Sequence, residues 1–157
     1  MRTHRSLFVA LVVAGSMAAF GVPSSAGGDK PRCFGEPATH VFGKNIHDGN
    51  GTKGDDVIVS KAFITTGGGG DDLIRGSGRD LQEIYGDSGK DKINGRGGND
   101  TIDAGAANDF AKGGTGDDFV AGRDGNDELL GNAGKDNVWG GPGQDRCDGE
   151  KERACEN

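Results

Sequence analysis

Large side chains are scarce in this sequence. Its 157 residues include one Trp, one Tyr and seven Phe, and hydrophobic residues of all kinds make up 32%. A chain so built cannot bury a conventional close-packed core. Basic residues are outnumbered, 18 against 25 acidic ones, for a net charge of −7. That balance leaves no basic face for nucleic acid or anionic lipid. Histidine is rare too: beyond residue 26 only His40 and His47 remain, little from which to assemble a nucleophilic triad. No apolar run after residue 22 approaches a membrane span. No H-E-x-x-H, G-x-S-x-G, EF-hand loop or phosphate-binding loop occurs. Glycine is the most abundant residue, with 32 copies. Composition alone describes a disordered chain, and only an ordered pattern can displace that reading.

The first 26 residues stand apart. Arg2 and Arg5 precede an apolar stretch at 7–22, and Ser24-Ser25-Ala26 places small residues where a signal peptidase cuts. The pattern predicts a cleaved secretory signal over 1–26 and an extracellular mature chain with no membrane span. That chain keeps 16 basic against 25 acidic side chains, a net charge of −9. Its surplus of carboxylates would welcome a cation.

The ordered pattern is a comb. Asp91, Asp100, Asp109, Asp118, Asp127, Asp136 and Asp145 follow one another at a strict interval of nine. Two residues after each comes Ile93, Ile102, Ala111, Val120, Leu129, Val138 or Cys147. Two residues before each comes Gly89, Gly98, Ala107, Gly116, Gly125, Gly134 or Gly143. The unit reads G-G-x-G-x-D-x-U-x with U apolar, and residues 113–121 and 67–75 match it in full. An internal repeat of this kind fixes an architecture. The segment G-G-x-G-x-D suits a turn, because glycine reaches positive φ without a Cβ clash. The segment x-U-x suits a short strand whose middle side chain points inward. Two units make a coil, coils stack at about 4.8 Å, and the fold class expected is all-β, a parallel β-roll.

These units resemble the RTX, or hemolysin-type, calcium-binding repeats, over roughly residues 49–148. The stretch from Cys33-Phe34-Gly35 to Ala38-Thr39, followed by GTKGDDVIV at 51–59, is also similar to small secreted members known from actinobacteria. The domain reading that follows is a signal over 1–26, an N-terminal capping segment over 27–48, repeats over 49–148 and a C-terminal cap or tail over 149–157.

Stacked coils bring every second aspartate together. One column runs Asp91, Asp109, Asp127, Asp145; the other runs Asp100, Asp118, Asp136. Asp72 extends one of them. These eight aspartates are the candidate metal ligands. Hard carboxylate and carbonyl oxygens suit several calcium ions better than a transition metal. The unit at 76–84 is irregular: one extra residue separates Asp72 from Asp91, so a bulge or lost site is expected near Asp80. Asp56, 16 residues before Asp72, is of doubtful register, with a longer strand or loop at 60–66. The apolar stacks are thin, each full-sized member worth about 1.5–3 kcal/mol. They do not offset the entropy of ordering a glycine-rich chain. Metal binding and folding are therefore expected to be one event.

The tetrapeptide Gly86-Asp87-Ser88-Gly89 looks like a serine-protease nucleophile loop, but the repeat absorbs it. Ser88 is the variable third residue of its unit, and neither histidine lies among the repeats. The second acids Asp55, Asp71 and Asp117 read as solvated charge. The sequons at Asn50 and Asn99 read as accidents of composition. Three cysteines allow three pairings; Cys147–Cys155 is favoured, because it would pin the tail over the open end of the roll and leave Cys33 free. No enzyme fits in residues 27–48. The function expected is calcium binding by a secreted roll. The alternative is an adhesion module for polysaccharide or protein, using the outward residues Phe110, Phe119, Leu130 and Trp139 with calcium purely structural.

Overall fold

The computed structural model describes residues 31–43, 48–78 and 81–155. The signal expected over 1–26, the side chain of His47 and the irregular Asp80 lie outside them. Two parallel seven-stranded sheets face each other. One contains β3 (His40–Phe42), β5 (Val57–Ser60), β7 (Leu73–Arg75), β9 (Lys92–Gly97), β11 (Phe110–Thr115), β13 (Glu128–Ala133) and β15 (Arg146–Asp148). The other contains β4 (Asp48–Asn50), β6 (Ile64–Gly69), β8 (Glu83–Ser88), β10 (Thr101–Ala106), β12 (Phe119–Asp124), β14 (Asn137–Trp139) and β16 (Lys151–Arg153). Successive strands alternate between the sheets, so the chain winds as a β-roll.

The apolar position of each repeat forms the core. Ile58, Ile74, Ile93, Ala111, Leu129 and Cys147 are successive partners across one sheet. Thr65, Ile84, Ile102, Val120 and Val138 are successive partners across the other. All but the half-buried Cys147 are fully enclosed. The core is one side chain wide on each sheet, as the repeat requires.

The strands are longer than the repeat implied. A strand such as β9 or β10 spans six residues, and the turn proper keeps only G-x-D. The reason is that the G-G-x segment still bonds laterally to the coils beside it, as Gly114 does to Arg96 and Asn132. Reversal is concentrated in two residues per unit, the second and fourth, which have positive φ. In the turn before Asp118 these are Gly114 (124°) and Gly116 (122°).

Irregular units are absorbed without loss of register. β5 has four residues where β9 has six, which accounts for the short step from Asp56 to Asp72. The extra residue of the next coil lies in sequence between Gly76, set against Gly95 19 residues on, and Gln82, set against Asp100 18 residues on. Ladders extend outward from His40 to Arg153, beyond the 49–148 read from the motif.

The N-terminal segment does more than sit at an end. A hairpin of β1 (Arg32–Cys33) and β2 (Glu36–Pro37) turns at Phe34 and Gly35, both of positive φ. Cys33 and Ala38 pack on Val59, with Val57 and Leu73 alongside, on the outer surface of β5 and β7. The tip reaches β11, where the Lys112 ammonium lies 6.0 Å from the centroid of the Phe34 ring. At the other end Cys147 and Cys155 form the disulfide, and Cys33 is a buried free thiol.

Candidate metal centre

The turns stack their aspartates into two ladders. In the first, the Asp56 N–H donates to Asp72 Oδ1 (2.7 Å), Asp72 to Asp91 (2.8 Å), Asp91 to Asp109 (2.8 Å), Asp109 to Asp127 (2.8 Å) and Asp127 to Asp145 (2.9 Å). In the second, the Gln82 N–H donates to Asp100 Oδ1 (3.0 Å), Asp100 to Asp118 (2.7 Å) and Asp118 to Asp136 (2.9 Å). Both columns read from the sequence are thus assembled, with Asp72 in the first. Asp56 also holds register.

Each carboxylate spends one oxygen on its ladder bond. The other, Oδ2, is buried and without a hydrogen-bond partner in Asp72, Asp91, Asp100, Asp109, Asp118, Asp127, Asp136 and Asp145. These are the seven aspartates of the comb and Asp72. An unpaired buried anionic oxygen is costly, and eight in one small fold require an explanation.

The surroundings of those oxygens supply one. Five residues before each of seven of these aspartates stands a glycine: Gly67, Gly86, Gly95, Gly113, Gly122, Gly131 or Gly140. A Cβ on Gly86 would meet both Asp91 Oδ2 and the carbonyl oxygen of Ala104, in the next coil, at under 3.0 Å. The same convergence recurs at Gly67 with Asp72 and the Gly86 carbonyl, at Gly95 with Asp100 and the Gly113 carbonyl, and at Gly122 with Asp127 and the Gly140 carbonyl. The absence of a side chain opens a space walled by oxygens of two coils. Among the described residues no three His, Cys, Asp or Glu side chains converge on one point. A cation held here would draw its remaining ligands from backbone carbonyls, as hard, oxygen-seeking ions do. Ala104 breaks the rule, placing a methyl group five residues before Asp109.

Burial makes these carboxylates reluctant to ionise unaided. It raises the pKa of Asp91, Asp100 and Asp109 to about 7, and of Asp72 and Asp118 to about 6. Asp127 moves the same way. The ladder N–H pulls each value back, and neighbouring acids push it up again. A positive charge in the oxygen-walled space would reverse the balance.

The first coils meet the same geometry with different side chains. Asp56 Oδ2 accepts from the Thr52 N–H (2.6 Å) and hydroxyl (2.9 Å), and its Oδ1 lies 3.2 Å from His40 Nδ1. Gln82 occupies the place an aspartate would take 18 residues before Asp100. Its Oε1 accepts from the Ser77 N–H (2.5 Å) and its Nε2 donates to the Ala62 carbonyl (2.6 Å). Beneath them Thr65 donates to Ser60 (2.7 Å) where later coils are apolar. Gln82 was legible in the sequence by counting back 18 from Asp100. Glu150 was not: it accepts the Asp136 N–H (2.6 Å) from only 14 residues away.

A second rank of bonds lies just outside the ladders. Asp71 and Lys90 N–H groups donate to Asp55 and Asp71 Oδ1; Asp117 and Lys135 donate to Asn99 and Asp117; Asn126 and Gln144 donate to Asn108 and Asn126. Asp55, Asp71 and Asp117 are therefore coil-to-coil acceptors as well as exposed charges. The signal was the Asn or Asp immediately before many repeat aspartates. Ser88 lies exposed at the end of β8, and its hydroxyl donates to the Gly68 carbonyl (3.3 Å). The outward apolar residues divide: Phe110 and Leu130 lie on one sheet, Phe119 and Trp139 on the other, where Arg123 covers the Trp139 ring at 5.4 Å.

Alternating strands in two parallel sheets, joined by turns that stack buried carboxylates, define a β-roll protein of the repeat type. Residues 83–111 and 112–147 each match the family model of the RTX calcium-binding nonapeptide repeat, a model that spans four copies. Residues 83–147 are thus RTX-type repeats, and that repeat is of the calcium-binding kind. No curated protein and no solved structure matches it.

Proposed function

We propose that this is an exported calcium-binding protein whose roll folds as it takes up several ions. Asp72, Asp91, Asp100, Asp109, Asp118, Asp127, Asp136 and Asp145 are the ligands, each ion lying between adjacent rungs of a column. The first column offers four such spaces from Asp72 to Asp145, and the second offers two from Asp100 to Asp136. The observation that carries the reading is the buried, unpartnered Oδ2 at all eight positions. A bound divalent cation neutralises stacked carboxylates that otherwise repel one another and resist burial. The apolar leader at 1–26 supports export, and the chain would fold only on reaching calcium-rich surroundings.

Far-UV circular dichroism of the purified chain, titrated with calcium from a chelated start and repeated with magnesium, tests this. A cooperative rise in β signal with calcium alone is expected at roughly 10⁻⁴–10⁻³ M, as for extracellular modules. An unchanged β signal in chelator and in calcium would sink the coupling of folding to metal.

A further inference from the structure

We infer that the disulfide-closed tail builds the last cation cage of each column, and that the Cys147–Cys155 bond thereby controls how tightly those two cages hold calcium. The inference rests on the calcium reading above and extends it to residues outside the repeat.

The tail breaks the period of the roll. Phe119 pairs with Asn137 at the repeat distance of 18, whereas Asn137 pairs with Lys151 at 14. No nonapeptide motif marks residues 149–155. Two of its oxygens nonetheless fall where a further coil would place them. In front of Gly140, the Ala154 carbonyl oxygen converges with Asp145 Oδ2 on the point a Cβ would occupy. This is the relation of the Ala104 carbonyl to Asp91 Oδ2 in front of Gly86. On the second column, Glu150 Oε2 takes the Asp136 N–H, as Asp136 Oδ1 takes that of Asp118.

Both cages have a buried oxygen waiting. Asp145 is 2% and Asp136 1% exposed, and the Oδ2 of each lacks a partner. These atoms are independent of the tail's own hydrogen bonds and point to a ligand. Glu150 adds a second carboxylate beside Asp136, so the last cage of that column is completed by an acid from outside the comb.

Besides the disulfide, the tail is held by the short β14–β16 ladder, the Lys151 N–H bond to the Asp136 carbonyl and the Glu150 bond. β16 is a three-residue edge strand, paired only with β14. Lys151, Arg153 and Ala154 are exposed and bury no apolar anchor. Short polar edge strands fray. The Cys147–Cys155 bond closes a loop containing Glu150, β16 and Ala154, and Cys147 is itself the core residue of the last repeat. With the bond open, the Ala154 carbonyl and Glu150 carboxylate leave the cages. Linkage makes the effect reciprocal: the factor by which the closed bond tightens calcium is the factor by which calcium opposes reduction of the bond.

Calorimetric titration with calcium should compare the oxidised parent chain, Cys147→Ser/Cys155→Ser and Glu150→Gln. Trp139, the one tryptophan, lies three residues from Asp136 and sensitises terbium bound nearby. The double variant is expected to hold its last two ions at least tenfold more weakly, with Trp-sensitised terbium emission falling in parallel. Glu150→Gln keeps the disulfide and should lose affinity at one ion only. Calcium should raise the dithiol concentration needed to open the bond in the parent chain. Amide exchange across β9–β12 checks that both variants retain the roll. Equal ion counts and affinities in all three chains overturn the inference while leaving the calcium reading standing. A parent chain that binds no calcium overturns both.

Discussion

The first coils of the roll and the later ones close the same turns by different chemistry. Up to Asp56 in one column and Gln82 in the other, side chains complete the ladders themselves. Asp56 is satisfied by Thr52 and His40, Gln82 by Ser77 and Ala62, and Thr65 by Ser60. From Asp72 in one column and Asp100 in the other, each rung leaves a buried carboxylate oxygen open. A glutamine carries both a donor and an acceptor and needs nothing more. An aspartate carries only acceptors, and the fold supplies it one N–H. On the proposed reading, regular repetition commits the later coils to an outside cation, and departure from the repeat frees the earlier ones. Hairpin β1–β2 reinforces the early end by covering Val57, Val59 and Leu73.

Chelation should break the two regions apart, and it is the largest effect expected. Removing calcium at neutral pH leaves a stack of buried like charges, each carrying a desolvation penalty of several kcal/mol. Amide exchange should lose protection across β9–β14 and keep more of it in β5–β7. A single cooperative loss over all strands would erase the distinction between the regions.

Acid should do part of the work of calcium. Unfolded aspartates titrate near about 3.9, whereas Asp91, Asp100 and Asp109 are raised to about 7 in the fold, and Asp72 and Asp118 to about 6. Between those values the folded state binds more protons. Metal-free stability therefore rises as pH falls from about 7 toward 4, and is lost again as pH rises through the folded values. Circular dichroism in metal-free buffer should show more β signal at pH 4.5 than at 7.5. Calcium affinity should move the other way, because protons compete for the same oxygens. Metal-free β signal that is flat or rises with pH would count against buried, cation-seeking carboxylates.

Gln82→Glu carries the chemistry of the later coils into the early region. It sets an anionic oxygen against the Ala62 carbonyl where an amide now donates. In chelator the cost should be about 1–3 kcal/mol, with a smaller loss in calcium if the new acid recruits an ion. Urea unfolding in both conditions measures it. Equal losses with and without calcium would mean that Gln82 does not mark a boundary between two modes of closure.

Most of the architecture was legible because the repeat states it directly. The nine-residue interval between Asp91 and Asp145 implies the coil, the two columns and the core positions, and each is found where expected. What escaped the sequence depends on neighbours rather than on period. Register at Asp56 survives because β5 gives up two residues, a length change that no motif records. Strand length was underestimated because glycine's freedom to turn does not prevent it from pairing, as Gly114 does with both flanking coils. Glu150 was invisible because the tail takes a shorter path than a coil. The outward apolar residues looked like one surface only until alternate units were assigned to opposite sheets.

The smallest effect concerns a flaw within the regular region. The fourth place of the unit is glycine at 89, 98, 116, 125, 134 and 143, all of positive φ, but Ala107 holds it with φ at 94°. An L side chain in that conformation is strained by about 1–2 kcal/mol. Ala107→Gly removes the strain and returns part of it as greater freedom in the unfolded chain. A net gain of about 1 kcal/mol is expected, read as a rise of a few degrees in Tm at saturating calcium. The gain should persist in acid without metal, because it belongs to the backbone and not to the cage. An unchanged or lower Tm would show that the turn before Asp109 has relaxed around its alanine, and that the array is less uniform than its period implies.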